Sequence, residues 1–428
     1  MLTPAENDML CRVEGDAPMG QVMRYYWMPA CLSEEIAEPD GKPIRVRLLG
    51  ENFVAFRDSD GEVGVMDELC PHRRASLVLG RNEECGLRCL YHGWKIDRKG
   101  NVLDMPSEPE ESPLKNKVKH RSLPVKEWAG AVWVYLGDSE SVPPFEPPAW
   151  APQEDTKVSI AKINIPCNWA QILEGAIDSA HSSSLHSSDM VPARVIQAEA
   201  DDNAWYRPST DKNPSIRAKS TESGFHYAAI RRPIKKADTH SYVRTSVFVA
   251  PMTVLIPPNG SYNVANINVP IDDENTAFHF IAWGDNAPDV DNWRSFLGAS
   301  PGEHLDDNWF SKRQAHNWFL QDRKAMKEGS YTGIQGIPNQ DMAMWVTMGK
   351  IADRSCDTLG ASDGAVVEFR RYMMDQLNRF VEEGAAAYEK SVFREHGAEI
   401  IPSWQGVIPK DTDWSNPVER DEHKLMDW

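Results

Sequence analysis

Two groups of side chains stand out because their types and spacing suit metal chemistry. Cys70-Pro71-His72 and Cys89-Leu90-Tyr91-His92 pair a thiol with an imidazole twice, as C-x-H and C-x-x-H, with sixteen residues between the pairs. Two thiolates and two imidazoles suit one tetrahedral zinc, or a 2Fe-2S cluster with both sulfurs on one iron and both nitrogens on the other. Each pair carries one Cys and one His, so each loop would reach both irons, and Pro71 and Gly93 permit tight turns; both details favour the cluster. Cys85 is a competing thiol with poorer spacing to His92, expected to be simply buried.

The second group is Asp178, His181 and His186, at spacings of three and five. On a helix Asp178 and His181 would share a face, whereas the step to His186 turns through about 500° and takes the second imidazole off it. The helix must bend or end there, and Ser182, Ser183 and Ser184, which readily bond backbone groups, allow that. Two neutral imidazoles with one carboxylate from elsewhere form the facial triad that holds non-haem Fe(II) with open positions. Spacing does not select the third ligand, for which Asp341, Asp353, Asp357 and Asp363 are candidates. Asp178 is near enough to accept the Nδ1 proton of His181 and fix its tautomer.

The elements that must position these groups follow from periodicity. Pro43–Leu49, Asn52–Arg57 and Val63–Met66 alternate as short antiparallel strands around an Asp58–Gly61 turn, and Trp128–Leu136 reads as one buried strand closing that unit. Pro143, Pro144, Pro147, Pro148 and Pro152 mark a stiff linker. Beyond it, strand-like runs at 225–231, 242–250, 262–269 and 276–283 predict an antiparallel sheet, followed by helices at 309–326 and 365–390. The expected fold is therefore α+β: residues 1–138 an all-β domain, 139–155 a linker, 156–395 a sheet covered by helices in a helix-grip arrangement, and 396–428 a surface tail.

Composition narrows the function classes. A net charge of −18 argues against nucleic-acid binding, which needs basic surface. No apolar run approaches the ~18 residues of a membrane span, and the start has no export signal, so a cytoplasmic protein is expected. Seven scattered cysteines suit thiols and metal ligands better than a disulfide framework.

Cys-Pro-His-Arg-Arg followed by Cys-Leu-Tyr-His-Gly-Trp-Lys resembles the Rieske loops of the aromatic-ring-hydroxylating oxygenases, and Asp178-x2-His181-x4-His186 resembles their mononuclear iron motif, in the same order and separation. Nearly the whole chain is covered, and the segment 168–188 is similar to the single-subunit branch. The resemblance implies a Rieske 2Fe-2S cluster on Cys70, His72, Cys89 and His92, and Fe(II) on His181, His186 and Asp341, which lies where the family has its distal carboxylate. It further implies O2 as cosubstrate, NADH electrons delivered by a flavin and iron-sulfur reductase, and a head-to-tail homotrimer or stacked hexamer. In that assembly Asp178 of one subunit would bridge to His92 of the next. The implied reaction is cis-dihydroxylation of phthalate, a small aromatic dicarboxylate, at ring carbons 4 and 5. A monooxygenase that demethylates an aryl ether acid is the alternative.

Such a dianion requires cations that an acidic chain must place deliberately, and planar guanidinium forks suit carboxylates. Arg244 shares a strand face with Tyr242, Ser246 and Phe248, and Arg207 follows the iron motif among aromatic neighbours; these two are the expected clamp, with Arg194, Arg231 and Arg232 as alternatives. Arg73, Arg74, Arg81, Arg88, Lys95, Arg98 and Lys99 give the Rieske loops a basic excess suited to docking an acidic reductase.

Overall fold

Short strands cut by tight turns build Val13–Phe145, the first of two units in the computed structural model, which describes residues 1–192, 205–257, 262–391 and 402–422. Three small antiparallel sheets make it up. The first pairs β1 (Met28–Leu32) with strands from the end of the unit; the second is β2 (Ile44–Leu48), β3 (Glu51–Arg57) and β4 (Val63–Asp67); the third is β5 (Arg81–Glu83), β6 (Gly86–Arg88), β7 (Lys95–Asp97) and β8 (Val102–Asp104). The β3–β4 turn closes because Asp58 Oδ1 accepts from the backbone N–H groups of Asp60 and Glu62 while Gly61 takes φ 83°.

The run expected as a single strand from Trp128 is a hairpin instead. β9 (Val125–Trp128) and β10 (Ala131–Val134) flank Ala129 and Gly130, both at positive φ. Two such residues make the turn that matches strand twist, and the apolar character continues through it, which hid it in the sequence. Phe145 packs its ring against Trp27, Trp128 and Trp133, so the start of the proline-rich stretch is fastened to this unit. Cys85, expected to be buried, sits half-exposed at φ 57° in the β5–β6 turn.

The second unit is Met1–Arg12 with Glu146–Trp428. Its centre is the expected antiparallel sheet, eight strands among the described residues. In order these are β11 (Val158–Ile165), β19 (Asn275–Trp283), β18 (Asn263–Asp272), β17 (Thr253–Ile256), β16 (His240–Val249), β15 (Gly224–Arg231) and β14 (Ser215–Thr221), with β20 (Trp404–Pro409) pairing the first half of β16. A separate parallel pair joins β12 (Met190–Pro192) to β13 (Trp205–Arg207). Residues 404–409 were expected in a surface tail. Pairing Tyr242 with Val407 and Arg244 with Gln405 instead makes them part of the sheet, while 392–401 and 423–428 lie outside the described residues.

Helices α2 (Trp169–Ile177), α3 (Val290–Leu297) and α4 (Ile337–Thr347) share one apolar core with the sheet, including Ile163, Ile172, Phe278, Phe280, Trp293, Met342 and Trp345. The long helix expected over 365–390 is two: α5 (Gly364–Glu383), whose Val366, Phe369, Met373 and Leu377 form the buried stripe, and α6 (Ala385–Ser391) beyond Gly384 at φ 81°. The helix expected at 309–326 is replaced by irregular backbone and two short helical segments, Ala315–Leu320 and Arg323–Lys327. Trp309, Trp318, Phe319 and Leu320 all take positive φ, which no α-helix accommodates.

α1 (Pro4–Cys11), expected with the first domain, belongs to the second unit, where it provides partners for the buried Arg354: Asn7 Oδ1 at 3.1 Å and Cys11 Sγ at 3.0 Å. Arg354 and Arg370 grip Glu174 at 2.8 and 2.7 Å and so fasten the last turn of α2. Among the described residues no helix is long and apolar enough to cross a membrane.

Candidate functional site

Asn168 starts α2, its Oδ1 accepting from Ala170 N–H while its Nδ2 donates to the carbonyls of Cys11 and Asp273. Gln171 donates to the carbonyls of Trp345 and Gly349, which sets the register of α2 against α4. The two helices pass closely at Gly175, where an added Cβ would lie 2.1 Å from Trp345 Nε1.

The helix ends at Ile177. Asp178 turns extended (φ −80°, ψ 112°), and its carboxylate accepts the backbone N–H groups of Ala180 at 2.7 Å and His181 at 3.3 Å. Those bonds nucleate the 3-10 turn His181–Ser183, and the chain loops on so that His186 returns beside His181, ring centroids 5.1 Å apart at 80°. The serines permit this bend, Ser182 bonding back to the Ser179 carbonyl.

Asp341 on α4 closes the group, its Oδ1 lying 3.5 Å from His181 Nε2 and 3.0 Å from His186 Nε2. One ligand atom from each of the three lies within 4.8 Å of the others, and among the described residues no other three His, Cys, Asp or Glu side chains do so. The competing acids are occupied elsewhere: Asp357 pairs with Arg370, Asp353 bonds Ser355, and Asp363 accepts the Gly360 N–H.

The far nitrogens of both rings are engaged too. His181 Nδ1 lies 3.3 Å from Asp178 Oδ2, and His186 Nδ1 lies 2.7 Å from Gln340 Oε1. Burial opposes ionisation of Asp178, but the hydrogen bond and charge of His181 hold its pKa below the usual carboxylate value. Burial likewise works against a charged His186; the Asp341 carboxylate and the Gln340 amide outweigh it and raise the pKa. Sequence reasoning missed Gln340, because nothing in its spacing marks a neutral amide beside an acid.

A pocket opens on this group. Ile256, Phe278, Phe280, Ile337 and Trp345 supply apolar wall; Arg207, Arg244, Ser246 and Asn266 supply polar atoms. Arg207 is 5% exposed and donates to Ser182 Oγ at 2.7 Å and Ser183 Oγ at 3.3 Å. Among the described residues its Nε has no partner and its other nitrogens meet hydroxyls and a thioether, with no carboxylate paired to it. Burial, reinforced by the nearby Arg244 charge, pushes its pKa down to about 9. Arg244 on β16 donates to Gln405 Oε1 at 3.1 Å, a partner that β20 brings. Of the alternatives, Arg231 is buried but turned to the Ser179 carbonyl at 2.7 Å, Arg232 is exposed, and Arg194 lies outside the described residues.

In the first unit Cys70 and Cys89 are buried in the core with Leu77, Leu87 and Ile96. Their loops close alike: Cys70 N–H bonds the Ala75 carbonyl and Cys89 N–H the Trp94 carbonyl, with Arg74 and Gly93 each at positive φ donating back to the cysteine carbonyl. His72 stacks on Trp94 at 4.5 Å, and the His72 and His92 rings are 4.4 Å apart. One tetrahedral zinc would bring all four ligand atoms within roughly 4 Å of one another. Among the described residues these four do not form such a group, and the adjacent pair of imidazoles suits an iron of its own, as in a two-iron cluster. The basic excess of these loops is mostly neutralised inside the unit: Arg81 and Arg88 pair with Glu83, Lys95 with Glu84, and Arg98 with Asp58 and Glu62. Arg73 and Arg74 remain exposed, Arg73 lying over the Tyr91 ring at 5.3 Å.

Two known families match successive parts of the chain. The Rieske (2Fe-2S) domain family matches residues 26–127, and the family described as LigXa C-terminal domain like matches 134–426. The chain is 62% identical to the phthalate 4,5-dioxygenase oxygenase subunit of Pseudomonas putida over 97% of its own length and 94% of that protein. It is 35% identical to the 3-chlorobenzoate-3,4-dioxygenase oxygenase subunit of Comamonas testosteroni, over 98% of both. Among solved structures, the NdmA QL mutant with caffeine, from Pseudomonas putida CBB5, matches 90% of this chain and 99% of its own at TM-score 0.61 and 18% identity, a likeness of fold.

Proposed function

The chain belongs to the Rieske non-haem iron oxygenases, and from that premise we propose that it is a terminal oxygenase component that cis-dihydroxylates phthalate at ring carbons 4 and 5. The observation that carries the substrate is the pocket, in which two buried arginines, one lacking any carboxylate partner among the described residues, face the same space as His181, His186 and Asp341. A guanidinium desolvated without a counter-charge is costly to the fold, and a substrate carboxylate is the group that offsets it.

The donor sets fit the family's two cofactors. Cys70 and Cys89 would hold one iron of the cluster and His72 and His92 the other; His181, His186 and Asp341 would hold the mononuclear iron and leave positions open. When bound, the cluster supplies single electrons and the iron the redox chemistry that reduces O2. The chain's residues do the rest by geometry. Arg207 and Arg244 take the two carboxylates, the apolar wall clamps the ring and excludes water, and Asp178 holds the Nδ1 proton of His181. Overall, phthalate, O2, NADH and a proton become the cis-dihydrodiol and NAD+: both oxygen atoms enter the ring, and NADH provides the two electrons through a flavin and iron-sulfur reductase in the cytoplasm.

A head-to-tail trimer, alone or stacked as a hexamer, completes the reading. His92 is half-buried beside exposed Leu90 and Tyr91, so its cluster needs a covering surface for electrons to leave by, and Asp178 of the neighbouring subunit would accept a hydrogen bond from His92 and bridge the cluster to that subunit's iron site, as the family pattern implies. O2 uptake with a reductase and a panel of benzene dicarboxylates tests the function. Phthalate should be turned over fastest; uptake with isophthalate or terephthalate but not phthalate would overturn the assignment.

A further inference from the structure

His186 is held at both ring nitrogens by consecutive residues of α4: Asp341 Oδ1 lies 3.0 Å from Nε2, and Gln340 Oε1 lies 2.7 Å from Nδ1. Gln340 is itself 2% exposed, and its Nε2 donates to Asp189 Oδ2 at 2.9 Å and to the Ile334 carbonyl at 2.8 Å. Both of those partners are acceptors only. They fix the amide with its NH2 toward Asp189 and its oxygen toward His186, since the flipped amide would set oxygen against oxygen twice. An oxygen facing Nδ1 requires a proton there, which leaves Nε2 with its lone pair directed at the space shared with His181 and Asp341.

We infer that Gln340, locked by Asp189 and the Ile334 carbonyl, is the positioning residue that sets the tautomer and ring plane of His186 for metal binding, the counterpart of Asp178 at His181. Here the chain uses a neutral amide where the other histidine has a carboxylate. The two imidazoles therefore differ in electron donation: the one backed by Asp178 is the more basic ligand and the one backed by Gln340 the less. The inference rests on His181, His186 and Asp341 being a metal site.

The test is anaerobic calorimetric titration of Fe(II) into full-length protein that keeps its Rieske cluster but has been stripped of mononuclear metal. Gln340→Met keeps the length and packing of the side chain without its acceptor and should weaken Fe(II) binding about 10- to 100-fold, the usual effect of losing a ligand's hydrogen-bond partner. Gln340→Glu combined with Asp189→Asn restores an acceptor toward His186 and a donor behind it while leaving the Ile334 carbonyl without its donor, and should recover at least about tenfold of the Fe(II) affinity that Gln340→Met loses. A purely structural role would not be rescued by reversing the polarity of the pair. Gln340→Met protein with wild-type affinity, or a double variant as weak as Gln340→Met, overturns the inference. If Gln340→Met does not fold, the double variant decides. Wild-type protein that takes up no Fe(II) overturns the metal site itself and this inference with it.

Discussion

Replacing Arg207 with methionine separates substrate binding from stability. The guanidinium is buried among hydroxyls, a thioether and a second arginine, and that burial pushes its pKa down to about 9. That shift corresponds to roughly 5 kcal/mol against the charged form in the substrate-free fold. A bound carboxylate supplies the missing counter-charge through charge-assisted hydrogen bonds of about 1.5–3 kcal/mol each. Losing two of them costs at least about 3 kcal/mol, roughly a hundredfold in Kd. Arg207→Met should therefore bind phthalate at least about 100-fold more weakly by calorimetry, while the Tm of the free protein does not fall.

Wild-type affinity should be level up to about pH 9 and then drop about tenfold per pH unit as Arg207 loses its proton. The stability consequence has the opposite sense. Because the folded pKa lies below the unfolded one, the unfolded chain binds more protons from about pH 9 upward until the ordinary arginine range is reached; the penalty is full below pH 9 and is relieved as pH rises through that window. A Kd for Arg207→Met within threefold of wild type, or a wild-type affinity unchanged between pH 8 and 10, would refute the reasoning.

Other expectations follow from the same site. Asp178→Asn should keep both metals, measured by iron content and Rieske absorption, yet lose more than about 100-fold in reductase-driven turnover; normal turnover would remove the bridging role. In Gly175→Ala the new methyl meets Trp345 Nε1 at 2.1 Å, and forcing the helices apart should cost about 1–3 kcal/mol and loosen Asp341 from the histidines, seen as a lower Tm together with weaker Fe(II) retention. Glu174→Gln removes the charge that Arg354 and Arg370 share while leaving both guanidinium groups buried, so unfolding in urea should show a loss of about 3–5 kcal/mol.

What could be read from the chain depended on whether the signal was local. The Cys and His pairs, and Asp178 with His181 and His186, are short-range patterns, and so are the long alternating strands of the second unit. Asp341 was one of four acids on spacing alone; only the packing of α4 against α2, through Gln171 and Gly175, brings it to the histidines. Gln340 and Glu174 act on partners far away in sequence and carry no periodic mark. Residues 404–409 look like tail because Gly406 and Pro409 interrupt them, yet an edge on β16 was free to pair. The failed helix at 309–326 had the right apolar spacing and was overruled by left-handed backbone at Trp318, Phe319 and Leu320.

The most direct test of the account is product analysis with 18O2, NADH, reductase and phthalate. A cis-dihydrodiol at carbons 4 and 5 carrying two 18O atoms is the predicted result. A product with one labelled oxygen, or none formed from phthalate, would contradict it.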